Sequence, residues 1–188
     1  MHSKINITGI VSFFLAIFFG GCVKQHNTEH IEKQEIILSL DEMLFYPEHL
    51  RDTTFKPKYK YVVYVDSAEC SPCKLGHIGI WNYFRNELLD NNAELYIILF
   101  SETSLVDEIK QTHDLYKQRI PIYIDTLGVF ERDNPQIAAE TSEFHNFLLD
   151  ENSRIIVVGD ASQNHHVRDR IFDILSGDVD STVTKKQK

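Results

Sequence analysis

An apolar run, Tyr61 to Asp66 (YVVYVD), leads within a few residues into Cys70-Ser71-Pro72-Cys73, after which apolar residues recur at helical spacing. This junction constrains the fold more than any other stretch. A nearly continuous apolar run of that length reads as a central strand buried on both faces. Leu75, Ile78, Trp81 and Leu88, with Tyr83 and Phe84 beside them, mark one face of a helix over Lys74 to Leu89. Gly76 and Gly79 weaken that helix and suit close packing.

Further strands are expected at Glu94 to Phe100 (ELYIILF) and Pro121 to Asp125 (PIYID), with an amphipathic helix at Leu105 to Tyr116 between them. Glu35 to Pro47 holds the first apolar cluster, a strand and a turn of helix. Val129 to Ala139 reads as a helical piece broken at Pro135. Phe144 to Asp150 and Arg154 to Gly159 flank Asp150-Glu151-Asn152-Ser153, whose turn chemistry predicts an antiparallel hairpin. His166 to Leu175 closes the order as a helix. Strands that alternate with helices and end in a hairpin imply an α/β architecture: a central mixed sheet with helices on both faces.

The chain has 188 residues, enough for one domain with appendages. Its formal charge of -9 argues against nucleic acid and anionic membrane surfaces as partners, since both reward Lys and Arg. The N-terminus carries Lys4, an apolar run from Ile5 to Phe19, and then Gly20-Gly21-Cys22. A charged start, a short apolar stretch and small residues at a cleavage point describe an export signal. The dense apolar part, Ile10 to Phe19, is short for a transmembrane helix. Small residues just before Cys22 resemble the lipobox of bacterial lipoproteins, in which that cysteine becomes the lipidated first residue. Phe19 departs from the aliphatic residue usual there. The expected division is therefore a signal peptide over 1–21, a tether over 22–35, a domain over 36–176 and a polar tail over 177–188. The resulting location is the bacterial cell envelope, outside the cytoplasm, with membrane contact through the lipid.

The three cysteines are at 22, 70 and 73, so lipidation of Cys22 leaves one pair. A single pair in an exported domain is not a disulfide scaffold and is free to be functional. At a helix N-terminus, unpaired N–H groups and the helix dipole favour a thiolate on Cys70, and Cys73 lies one turn on, in range to close a disulfide. Such exchange needs no bound cofactor. Its substrate is a protein or small-molecule thiol or disulfide, and the upstream electron donor is not readable from the sequence.

With Cys-x-x-Cys after the first central strand, this order resembles the thioredoxin fold. More narrowly it is similar to the TlpA-like, membrane-anchored bacterial thiol–disulfide oxidoreductases. The resemblance spans roughly residues 36–176 and is strongest at YVVYVDSAECSPC and FHNFLLDENSRIIVVG, with RIPIYIDTLGVFERDN matching the insert before the hairpin. It implies Cys70 as nucleophile, Cys73 as resolving cysteine, and Ser71-Pro72 as the dipeptide that sets redox poise. Pro72 falls in the first helical turn, where its missing N–H is no loss.

Three positions depart from that pattern. Glu69 replaces the bulky residue before the first cysteine, and its charge opposes thiolate formation by about 1 kcal/mol if exposed. Tyr64 replaces the buried acid that handles the resolving thiol's proton. Asp66, on the same side of the strand, is a candidate substitute, or simply a strand-end cap. Phe144 stands where the family has a cis-proline, with His145 next to it. A cis bond before a non-proline residue costs roughly 3 kcal/mol, so a trans peptide and altered substrate docking are expected.

The alternative to an enzyme is a non-catalytic thioredoxin-fold lipoprotein serving as a binding module. Metal binding by Cys70, Cys73 and His77 or His145 has thin support, because one Cys-x-x-Cys lacks a second paired motif. Lys74 after Cys73 excludes covalent haem attachment. His165 and His166 read as solvated turn residues, and His113 and Asp114 as surface groups closing the second helix. Asp107 and Glu108 suit a first helical turn. Tyr116, Tyr123, Phe130 and Trp81 read as packing residues.

Overall fold

The computed structural model describes residues 28–69, 71–75, 79–117 and 119–177. The signal peptide (1–21), Cys22, Cys70, His77 and the tail beyond 177 lie outside the described residues.

β-branched and aromatic residues build a six-stranded mixed sheet: β1 (Leu44–Tyr46), β2 (Tyr59–Val65), β3 (Ala93–Phe100), β4 (Ile122–Asp125), β5 (Asn146–Leu149) and β6 (Ile155–Val158), in the spatial order β1-β4-β3-β2-β5-β6. β2, β3 and β4 are parallel, with Val65 opposite Leu99 and Ile97 opposite Ile122. β1 and the β5–β6 hairpin add antiparallel strands at the two sides. The helices are α1 (Ser71–Leu75), α2 (Gly79–Asp90), α3 (Val106–Leu115), α4 (Val129–Asp133), α5 (Pro135–Ala138) and α6 (His165–Ser176). Among the described residues, none is long and apolar enough to cross a membrane.

Strand parity divides the core into two layers. On one face Tyr61, Val65, Leu95, Ile97 and Leu99 pack under Leu75, Trp81, Phe84, Ile109 and Ile171 of α1, α2, α3 and α6. On the other, Val62, Tyr64, Ile98 and Phe147 pack under Val129, Phe130 and Ile137 of α4 and α5. Helices cover both faces, as the sequence order implies. The hairpin is pinned by Asp150, whose Oδ1 accepts from Asn152 N (2.8 Å) and Arg154 N (2.9 Å). Tyr61 ties that hairpin to the chain beyond it. Its hydroxyl donates to Gly159 O at 2.7 Å and accepts from Ala161 N at 3.0 Å. Gly159 has φ +130, and a Cβ there would stand 2.9 Å from Val167 Cγ2.

The expected free tether is corrected over its described part. Ile31 and Ile36 are buried in the second layer, Lys33 N donates to Ile155 O (2.7 Å), and Ile155 N donates to Gln34 O (2.9 Å). Residues 33–36 thus pair with the turn and the first residue of β6, covering the start of that edge. The buried Asn134 side chain brackets Ile37, accepting from its N–H at 2.8 Å and donating to its carbonyl at 2.9 Å. The domain therefore begins by residue 28, not 36. Gly79 is also corrected: nothing lies within 4 Å of a Cβ built there, so it opens α2 without a packing role.

Candidate functional site

The parallel strands end together, and the cysteine motif leaves the chain at that edge. After β2, Asp66 folds the backbone into a turn: its Oδ1 accepts from Ala68 N at 2.8 Å and its carbonyl from Glu69 N at 3.2 Å. α1 starts at Ser71, so Cys70 immediately precedes the first helical residue. Ser71 is 4% exposed, and its Oγ donates to Phe100 O at 2.7 Å, fastening α1 to the end of β3. Pro72 occupies the second helical position, within the first turn as expected. Cys73 is exposed and disulfide-bonded.

Glu69 was expected to burden the motif with an uncompensated charge. Instead Lys74 Nζ lies 2.7 Å from Glu69 Oε1 across the start of α1, so the two charges balance locally. Neighbouring Asp125 is fully buried at the end of β4. Its Oδ1 accepts from Leu127 N and Val129 N, and its Oδ2 from Phe130 N at 2.8 Å, capping α4.

Tyr64, in the place of the family's buried acid, donates its hydroxyl to Glu131 Oε1 at 2.7 Å. Its pKa is raised, first by burial, then by that hydrogen bond and by the charges of Glu131, Asp125 and Asp66. A tyrosine held neutral in this way cannot serve as a base near neutral pH.

Asp66 and His145 are brought together. His145 is fully buried after the 3₁₀ turn Ser142–Phe144. Its carbonyl accepts from Tyr64 N at 2.9 Å, its Nε2 sits 3.1 Å from Ile137 O, and its Nδ1 lies 3.3 Å from Asp66 Oδ2. Phe144 is half-buried against the second core layer and meets His30 edge-on at 6.1 Å. Among the described residues the one cis peptide is Tyr46–Pro47.

Two residues are placed differently from expectation. His113 is 1% exposed rather than a surface group, with Nε2 2.9 Å from Ile120 O. Tyr116 is 53% exposed, outside the packing. The Asp66–His145 contact joins residues 79 positions apart by number, and nothing in their local sequence announces it. A polar residue in the slot before a strongly apolar hairpin strand was the available cue.

No protein-family model matches the chain, and no curated protein matches it. Solved structures do. A thioredoxin-like protein determined in its oxidised form in solution is 13% identical, with a TM-score of 0.52 over 78% of this chain and 97% of its own. A Chlorobium tepidum chain assigned as a thiol:disulfide interchange protein DsbE is 14% identical, with a TM-score of 0.50 over 77% and 99%. A cysteine-to-serine variant of PrxQ from Xylella fastidiosa is 9% identical, with a TM-score of 0.50 over 79% and 97%. The fold is thioredoxin-like.

Proposed function

We propose that this chain is a thiol–disulfide oxidoreductase that works outside the cytoplasm, held at a membrane by a lipid on Cys22. Cys70 attacks a substrate disulfide, Cys73 resolves the mixed species, and the protein leaves oxidised as the substrate leaves reduced. One observation carries this: Cys73 is exposed and already in a disulfide, in the first turn of a helix that departs from a buried central strand. The only other cysteines are Cys22 and Cys70, and Cys70 is the one three positions away. A bond so placed is reachable by a partner, unlike a structural crosslink under a core. The thioredoxin-like neighbours, one assigned as an interchange protein, support the same chemistry. The balanced Glu69–Lys74 pair removes the charge penalty that would have made Cys70 a weak nucleophile.

Phe144 favours an alternative, a non-catalytic binding module, because it stands where the family pattern has a proline. Equilibration in glutathione redox buffers, with turnover of a peptide disulfide followed in parallel, separates the two. The oxidoreductase gives a reversible two-electron transition together with turnover. A potential below about -300 mV with no turnover identifies an inert structural disulfide.

A further inference from the structure

Ile137 O can only accept a hydrogen bond, so His145 Nε2, 3.1 Å away, carries a hydrogen. In a neutral ring Nδ1 is then a bare lone pair. Facing it at 3.3 Å is Asp66 Oδ2, which as a carboxylate presents lone pairs of its own. His145 is fully buried and the Asp66 side chain is 17% exposed, so little water intervenes to screen two acceptors. Nδ1 has no hydrogen-bonded partner in good geometry, although Oδ2 is within ion-pair distance. A single added proton, on ring or carboxyl, converts the repulsion into an attraction.

We infer that Asp66 and His145 share one proton, and that this proton clamps the turn before Cys70 to the loop 142–145, making both positioning residues for the cysteine motif. One end of the clamp is the Asp66 turn, whose Oδ1 and carbonyl hold Ala68 N and Glu69 N. The other end is the segment that carries Phe144. Loss of the proton leaves two acceptors in opposition and frees the turn. The groups facing the pair are few. Tyr64 of β2 lies 5.4 Å ring to ring from His145, with Glu131 of α4 on its hydroxyl and Asp125 near it. Beyond Phe144 stands His30, 3.0 Å from Glu140 after α5. Except for His30, these neighbours are carboxylates or a neutral phenol, so among the described residues no cation faces the pair directly. The consequence for chemistry rests on the oxidoreductase function proposed above.

Asp66→Asn tests this directly. Its amide oxygen keeps the turn by accepting from Ala68 N, and its N–H₂ donates to Nδ1 with no shared proton needed. In the full chain, between about pH 6 and about pH 9, wild-type amide protection at Ala68 and Glu69 falls roughly tenfold beyond intrinsic exchange, while Asp66→Asn holds it level. His145→Gln keeps a donor for Ile137 O but removes the lone pair, and it lowers protection at every pH. In a Cys73→Ser background, capture of a peptide disulfide by Cys70 follows the same three pH courses after correction for thiolate fraction. In wild-type protein, ¹⁵N spectra of His145 show the Nδ1 signal shifting as the proton leaves. Identical pH courses for wild type and Asp66→Asn, or an Nδ1 signal that never moves, overturn the shared proton. Capture that fails in every background, with the protection pattern intact, defeats the proposed chemistry and leaves the clamp standing.

Discussion

Two histidines are buried at opposite ends of the same parallel ladder, and in outline their environments match. His145 lies at the strand ends where the cysteine motif departs, and His113 at the far end, where α3 hands the chain to β4. Each sets Nε2 against a backbone carbonyl, Ile137 O at 3.1 Å and Ile120 O at 2.9 Å. Each leaves Nδ1 without a hydrogen bond and near a carboxylate. The carboxylates differ. Asp114 is 64% exposed, stands 3.6 Å off, and has its Oδ2 occupied by the Tyr46 hydroxyl at 2.7 Å. That hydrogen bond also raises the Tyr46 pKa. Asp114 thus has open solvent and a phenol for partners. Asp66 has neither. The same residue type, in the last turn of α3 at one end and after a 3₁₀ turn at the other, is a packing group in the first place and, on the inference above, a proton-sharing group in the second; what separates them is the solvation of one carboxylate.

The strongest way to break this contrast is to delete both rings. His145→Ala and His113→Ala each delete a buried ring and open a cavity; Ile137 O keeps its bond from Glu140 N while Ile120 O loses its imidazole partner, and each change costs about 3 kcal/mol in urea unfolding. The losses are alike, but only the His145 variant changes how the exchange of Ala68 and Glu69 depends on pH. A smaller effect separates two of the tyrosines of β2, Tyr61 and Tyr64. Tyr61→Phe removes a hydroxyl that serves both Gly159 O and Ala161 N, for about 2 kcal/mol. Tyr64→Phe loses a bond to a half-buried glutamate and costs about 1 kcal/mol by the same measurement. The smallest effect is in the alkaline limb. Tyr61 and Tyr64 have pKa values raised above the ordinary 10.0, by burial first in each. The folded protein therefore binds more protons than the unfolded chain above about pH 10, and stability is full below that pH and falls as pH rises through it. Tyr64→Phe removes its share of that fall, which equilibrium unfolding at two alkaline pH values detects.

Much of the fold was legible because burial on both faces writes itself as unbroken apolar runs. Tyr61 to Asp66 and Glu94 to Phe100 can be little else, and Pro135 breaks α4 from α5 where its missing N–H requires. The docked segment was not legible, because just two of its residues, Ile31 and Ile36, are buried in a mostly polar stretch and its pairing with the hairpin is made by backbone groups. His113 was misread for a related reason: a polar residue in a last helical turn looks solvated until Ile120 arrives from beyond the helix to take its ring hydrogen. At the site, Asp66 was recognisable as either a substitute acid or a cap, and it is a cap through one oxygen while the other faces His145. Glu69 looked harmful because the ion pair with Lys74 depends on how α1 starts, which spacing alone does not reveal.

The central claim is that Cys70 is an attacking sulfur that Cys73 relieves. Its most direct measurement is acid-quenched mass analysis of reduced Cys73→Ser chain mixed with a peptide disulfide. A peptide adduct on Cys70, absent when wild-type protein is treated alike, is the predicted result. An unmodified Cys70 in folded protein contradicts it.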